Sequence, residues 1–243
     1  MAPLGRIRIP ERFQGPPGRG QGGWTAYQLS RFADGPVTVR LAAPTPLDRD
    51  LHVVQSETGV DLVDRTTDPP TTVMQATPRV ETFAEVTPVD LKTARDARSR
   101  FIFKDGGHPV PRCFSCGAHA ESMAVHPGRL DDGRVAVDWR PPDWAIDAQG
   151  AVDPGVIWAA MDCASGFYAA ADGVHNVSFT AQYAVEIVRP RKPDADYVIV
   201  AGPGDFAPHW DGRKRRSLAA TFDSDGALYG RAVALWIAVP AGQ

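Results

Sequence analysis

Cysteine is scarce in this sequence, with three in 243 residues. That number cannot build a disulfide framework, and an odd count without a secretory-type leader is the usage of a reducing compartment. Long apolar runs are missing as well. No stretch approaches the roughly 18 consecutive apolar residues of a membrane-crossing helix. Met1 to Pro10 alternates Arg with Ile and holds no apolar h-region, so it does not read as a signal peptide. There is no excess of positive charge either. Lys plus Arg is 26 against 29 Asp plus Glu, a net charge of −3, which gives no electrostatic reason to expect nucleic acid. The expectation is a soluble cytoplasmic protein with neither nucleic acid nor a membrane as partner. What the chain does have is 43% hydrophobic residues, enough for a sizeable core, together with 23 Gly and 22 Pro. Those two exceed their average share of about 12%, a composition suited to many short strands and turns.

Folded onto itself, the chain reads as two related halves. Each opens with a Pro/Gly-rich loop leading into a helix. The first loop is Phe13-Gln14-Gly15-Pro16-Pro17-Gly18 followed by Gln21-Gly22-Gly23. The second runs from Arg140-Pro141-Pro142-Asp143-Trp144 to Gly150, followed by Asp153-Pro154-Gly155. The second helix is well signalled. Asp153 suits the N-cap and Pro154 the N1 position, where a missing N–H costs nothing. Val156, Ile157, Ala160, Met161, Ala164, Phe167 and Tyr168 recur at helical spacing up to a stop at Asp172-Gly173. The first helix, Trp24 to Phe32, is shorter and more polar.

Strands follow in both halves. Val37 to Leu41, Leu51 to Gln55, Val60 to Val63 and Thr72 to Ala76 lie in the first, and Val177 to Ile187, Tyr197 to Ala201, Leu218 to Phe222 and Leu228 to Ala238 in the second. Asp223-Ser224-Asp225-Gly226 marks a hairpin, and Asp131-Asp132-Gly133 another before Val135 to Trp139. The order of loop, helix, strand, Pro-containing turn, strand and hairpin repeats over roughly 100 residues. Between the halves, Thr87 to Arg112 is charged, with a helical patch at Val89 to Phe101. The expected division is 1–88, a linker at 89–112, and 113–243. The expected class is α+β, each half a helix wrapped by an antiparallel sheet, with the two sheets joined so that fewer edges stay open.

These motifs resemble the hotdog-fold acyl-CoA thioesterases in their tandem, double-hotdog form. The resemblance is carried by the two loops above, by Cys113-Phe114-Ser115-Cys116-Gly117, and by Asp153-Pro154-Gly155 through Asp162. It spans about residues 10 to 239 and implies an acyl-CoA or other acyl thioester as substrate and no cofactor. The phenylacetyl-CoA branch carries His-Gly-Gly at its helix start and an acidic catalytic residue nine positions later. Here the His position holds Gln21 and Asp153, and nine residues on come Ser30 and Asp162. The acid is therefore kept only in the second half.

Thioester hydrolysis needs a group that activates water or attacks the carbonyl, and a donor for the developing oxyanion. A carboxylate serves the first purpose, and an amide at a helix N-terminus the second. In the family the donor is the amide of the first Gly after the His, and acid and donor come from opposite hotdogs. Gly22 has that N–H, whereas Pro154 has none. The resemblance therefore implies one composite site, with Gly22 and Gly23 as oxyanion donors facing Asp162 as general base or nucleophile. The pseudo-symmetric pair Ser30 and Pro154 would be inactive. Gln21, Trp24, Asp153, Gly155, Trp158 and Ser165 are expected around the substrate, Trp24 and Trp158 lining an acyl pocket and Ser165 beside Asp162. His175 and Asn176 follow the helix, where a His also simply suits the C-terminal dipole.

Other motifs carry weaker signals. Cys113 and Cys116 with His119 and His126 supply the ligand count of a zinc site, but the segment between the two His is long and Ala/Met-rich. A turn with two buried side chains is favoured, and no metal is expected. Arg213-Lys214-Arg215-Arg216 and Arg189-Pro190-Arg191-Lys192 have the charge to meet CoA phosphates, although short basic runs are more often solvated turns. One rival function is a non-catalytic acyl-CoA or lipid binder with an eroded site. Another is a hydratase on the same fold, for which no paired His and acid is found. The fused halves supply the pairing that single hotdogs gain by dimerising, and a further homo-oligomer is compatible with the sequence.

Overall fold

A computed structural model describes residues 4–170, 177–189, 196–203 and 210–239. The first strand, β1 (Gly5–Arg8), comes from the Arg/Ile alternation at the N-terminus, with Ile7 and Ile9 turned inward. Helix α1 (Gly22–Ser30) and strands β2 (Val37–Leu41), β3 (Asp50–Gln55), β4 (Val60–Asp64) and β5 (Thr71–Pro78) follow. Next come α2 (Leu91–Arg98), β6 (Gly128–Arg129), β7 (Val135–Trp139) and α3 (Pro154–Ala169). The chain continues through β8 (Val177–Ile187), β9 (Tyr197–Gly202), β10 (Trp210–Asp211), β11 (Lys214–Asp223) and β12 (Leu228–Val239). The α+β class and the nine expected strands are present, β11 beginning at Lys214, four residues before the expected Leu218. The short β1, β6 and β10 were not anticipated.

All strand pairs are antiparallel and belong to one sheet, in the order β1-β3-β4-β5-β2-β8-β12-β11-β9-β7-β6, with β10 paired to β11. The middle of this sheet is the β2–β8 pairing, Thr38 opposite Ala184, Val39 opposite Tyr183 and Arg40 opposite Gln182. Read outward from that seam, one flank runs β2, β5, β4, β3, β1 and the other β8, β12, β11, β9, β7, with the two-residue β6 added at its edge. Each flank thus places its strands in the same relative chain order, ending on a strand that precedes its own helix.

Helices α1 and α3 lie together on one face of the sheet. Helix α3 starts as anticipated, with Pro154 at N1 and the Asp153 carboxylate accepting from the Gly155 amide at 2.7 Å. It is buried on nearly every side, from Gly155 through Ser165. Small residues let it approach α1. A Cβ on Gly155 would lie 2.7 Å from the Tyr27 ring, and one on Gly23 2.6 Å from the Trp158 carbonyl oxygen. The described helix ends at Ala169, and Asp172, Gly173, His175 and Asn176 lie outside the described residues.

The opposite face of the second flank is also covered. Alternate residues of β7 and β9 point to opposite sides. Val137 and Ile199 join the core beneath α3, while Ala136, Val198 and Val200 pack with Ala94 and Ala97 of α2. The helix expected in 89–112 is therefore present, capped by Asp90 on the Thr93 amide at 2.6 Å. It covers the outer face of β7 and β9. Residues 79–90 cross the seam on this outer face. Glu81 accepts from Thr38 Oγ1 and from Gln182 Nε2, and Glu186 pairs with Arg79 and Arg231, whose guanidinium groups flank the Phe83 ring.

Candidate active site

The loop before α1 is built from backbone hydrogen bonds. The Gly15 amide donates to the Arg19 carbonyl, the Gly20 amide to Thr45, and the Gln21 amide to Phe13. This brings Gln21 to the N-cap of α1, where its Oε1 accepts from the Trp24 amide at 2.7 Å. Helix α1 consequently begins at Gly22, two residues earlier than the polarity pattern suggests. Two glycines make a poor helix start by propensity, and the close approach of α3 and β8 explains them. A Cβ at Gly22 would come within 2.7 Å of Thr180 Oγ1 and 3.0 Å of Asp162 Oδ2.

Asp162 of α3 thus meets the start of α1. Its side chain is buried, with the residue 2% exposed. Oδ2 accepts from the Gly23 amide at 2.8 Å and from Gln21 Nε2 at 2.6 Å, and Oδ1 accepts from Thr180 Oγ1 at 2.9 Å. Burial raises the carboxyl pKa to about 7, opposed by the Gly23 amide, Thr180 and Gln21. The Gly23 amide, expected beside Gly22 as an oxyanion donor, is therefore spent on Asp162. The Gly22 amide has no acceptor among the described residues.

Asp162, Gln21, Gly22 and Thr180 open onto one cavity of about 510 Å³. Leu41, Val110, Phe167, Phe179 and Trp236 give it apolar walls, and Arg19, Arg129 and His108 bring polar groups. Three cysteine side chains, Cys113, Cys116 and Cys163, also line it. Donors from the Cys116 and Cys163 thiols hold the Cys113 thiol well below its usual range, while Cys116 and Cys163 are pushed up.

Several expected substrate contacts lie elsewhere. Trp24 stacks on Phe13, with ring centroids 3.9 Å apart, and Trp158 packs against Tyr27 and Tyr183, so both belong to the core and neither lines the cavity. Asp153 and Gly155 form the start of α3 and are likewise away from the cavity wall. Ser165 donates to the Asp162 backbone carbonyl at 2.8 Å and accepts from Trp236 Nε1 at 3.2 Å, so it does not orient the carboxylate. Ser30 turns back to the Tyr27 carbonyl of its own helix. Arg213, Lys214, Arg215 and Arg216 are not among the lining residues, and among the described residues the Arg and Lys side chains that line the cavity are Arg19 and Arg129. Arg189 does not line it either, and Pro190, Arg191 and Lys192 lie outside the described residues.

Thr180 and Cys163 are the site residues that sequence reasoning missed. Thr180 lies on a strand whose alternation was legible, but alternation does not say which helix residue a side chain meets. Cys163 stands next to Asp162 without a recognisable partner in its own segment.

No family model matches the chain, and no curated protein matches it. Solved structures are similar to parts of it. A hypothetical thioesterase protein from Streptococcus pneumoniae, solved with coenzyme A, is 16% identical, with 47% of this chain and 84% of that chain covered at a TM-score of 0.41. A Streptococcus mutans protein bound to acetyl CoA is 15% identical over 47% of this chain and 87% of its own, also at 0.41. The PaaI protein of Escherichia coli, from the phenylacetic acid degradation operon, is 9% identical over 44% and 73%, at 0.39. Likeness at this level assigns no residue roles.

Proposed function

We propose that the chain is an acyl-thioester hydrolase of the acyl-CoA thioesterase kind, built as a tandem hotdog. Residues 1–88 and 113–243 form its two hotdog units, with 89–112 between them. The observation that carries this reading is the meeting of one acid with one free amide on a cavity wall. Asp162 from α3 stands against the glycine start of α1, and the Gly22 N–H beside it has no acceptor among the described residues. The matching strand order on either side of the β2–β8 seam supports the two-unit division.

The acyl thioester lies in the cavity with its carbonyl oxygen on the Gly22 amide, where the positive end of α1 stabilises the oxyanion. Asp162 takes a proton from a water whose oxygen adds to the carbonyl carbon, and that proton passes to the sulfur as the C–S bond breaks; or the carboxylate itself adds, the thiolate leaves, and water then hydrolyses the acyl anhydride, freeing the acid, restoring Asp162 and supplying the proton of the thiol. Gln21, Gly23 and Thr180 hold the carboxylate in place. The equivalent position on the other side has no such pair. Pro154 has no N–H, the Gly155 N–H is taken by Asp153, and Ser30 supplies no carboxylate.

The test is release of free thiol from short, long and aromatic acyl-CoAs by the natural protein and by Asp162→Asn. Asparagine preserves the shape and can still accept from Gly23 and Gln21. Turnover that falls about a hundredfold or more in the variant, the scale of a lost catalytic group, supports the assignment. Unchanged turnover overturns it. Absence of turnover on every substrate, with CoA raising the melting temperature, favours the non-catalytic binder instead.

A further inference from the structure

The three sulfurs on the cavity wall form a cluster of their own. Cys113 and Cys116 come from the loop before β6, and Cys163 follows Asp162 on α3. Their Sγ atoms all lie within 4.8 Å of one another, Cys113 to Cys163 at 3.9 Å, and all three thiols are free. Three thiolates on one tetrahedral zinc, each at about 2.3 Å, stand about 3.8 Å apart. The cluster is therefore close to zinc spacing already, and too wide for a disulfide, whose sulfurs are about 2.05 Å apart.

The local backbone suits a bound thiolate. Cys113-Phe114-Ser115-Cys116-Gly117 folds back on itself, with the Gly117 amide donating to the Cys113 carbonyl at 2.7 Å. A Cβ on Gly117 would lie 2.4 Å from that carbonyl oxygen and 2.6 Å from the Pro111 oxygen, so the turn closes only around glycine. Ser115 Oγ ties the loop to α3 through the Ala159 carbonyl at 3.1 Å. His119 and His126 donate from Nε2 to the Cys113 and Gly117 carbonyls. They clamp the turn and are not placed as ligands, so the two-Cys, two-His set considered from sequence is replaced by three cysteines. Gln21 Nε2, already on Asp162, reaches Cys163 Sγ at 3.6 Å, a hydrogen bond of the kind that steadies a metal-bound sulfur. No fourth His, Cys, Asp or Glu among the described residues brings a ligand atom into the cluster.

We propose that Cys113, Cys116 and Cys163 hold one zinc ion whose fourth ligand, a water or an exogenous thiol, comes from the cavity beside Asp162. Zinc there pins the 109–127 loop to α3 and shapes the wall next to the acid. The inference does not depend on the hydrolase reading, because its readout is metal content and spectrum.

The protein is purified under reducing conditions from zinc-supplemented cells and analysed for metal, then stripped and reloaded with Co²⁺. The expected result is about one zinc per chain, falling to background in Cys113→Ser and in Cys163→Ser. The cobalt form of the natural protein should show thiolate-to-metal charge transfer and the intense visible bands of a tetrahedral site. Ethanethiol should shift those bands by entering the fourth position, and an unchanged spectrum would overturn the open position. A folded natural protein with three titratable thiols, no zinc and no cobalt spectrum overturns the site, as does a Cys113–Cys163 disulfide found by mass spectrometry. These last measurements use the natural protein alone, so a variant that fails to fold does not obscure the answer.

Discussion

Gly23 shows how little freedom single residues have where the two helices cross. An added Cβ would meet the Trp158 carbonyl oxygen at 2.6 Å and the Asp162 Cβ at 2.7 Å, neither of which can swing away. Gly23→Ala should therefore destabilise the fold by about 1–3 kcal/mol, the usual range for overpacking, and displace Asp162 with it. Thermal unfolding and thiol release measure the two effects separately. Gly18 is the contrast. It has a positive φ of 69° and open space around its Cβ position, so Gly18→Ala should cost only the strain of that backbone, about 1 kcal/mol. At this scale the sequence was legible where a residue's role is local. Asp153 caps its own helix and Pro154 has no N–H in any fold. Gln21, Thr180 and Cys163 were harder, because their partners lie on other segments. Trp24 and Trp158 were misplaced for a related reason. Closeness along the chain to a site residue does not tell a core-facing side chain from a cavity-facing one on the same helix.

Among the elements, α3 was readable from capping, an N1 proline and a long apolar period, while of α1 the body was readable, expected from Trp24, and its start at Gly22 was not. Its start is two glycines capped by glutamine, and tertiary packing, not propensity, makes it a helix. Strand β1 escaped because four residues of Arg/Ile alternation are too short to separate from a polar tail. The difference can be measured. Asp153→Ala removes the hydrogen bond to the Gly155 amide and should lower stability by about 1 kcal/mol in chemical denaturation. The strap at 79–90 offers a pH test. The Arg231 guanidinium, with help from Arg79, holds the Glu186 carboxyl below its usual range. Ionised Glu186 is thus favoured in the folded state. Its contribution is present above the ordinary glutamate pKa and is lost as pH falls through the depressed one. Glu186→Gln should lower the melting temperature at neutral pH, by an amount worth about 1 kcal/mol at most for a partly exposed pair. The two proteins should converge in acid.

Over the whole molecule, the two flanks share one sheet, one core and one strap. Val39 and Tyr183 pair at the seam and are both fully buried, so separating the halves would expose them along with an open strand edge. Residues 1–88 made alone should be unfolded or aggregated by circular dichroism and size-exclusion chromatography. Co-expression with 89–243 should recover a soluble complex, and the intact chain should unfold in a single urea transition. The alternation and turn signals made most of the sheet legible, yet its continuity across β2 and β8 was only an expectation from the cost of open edges. The covering role of α2 was not legible at all, since Ala94 and Ala97 are too small and too few to mark a buried face by pattern.

The starts of α1 and α3 have a consequence for how such a molecule can change over time. Were the two helices supplied by identical subunits, every substitution would arrive twice, and a proline that silenced one amide would silence its twin. In a single chain the two starts mutate separately. On the proposed reading, proline fixes the entry of α3 while glycine keeps the entry of α1 open for chemistry. On that reading half of the molecule serves as scaffold, and the positions of Pro154 and Ser30 are free to change without loss of the site.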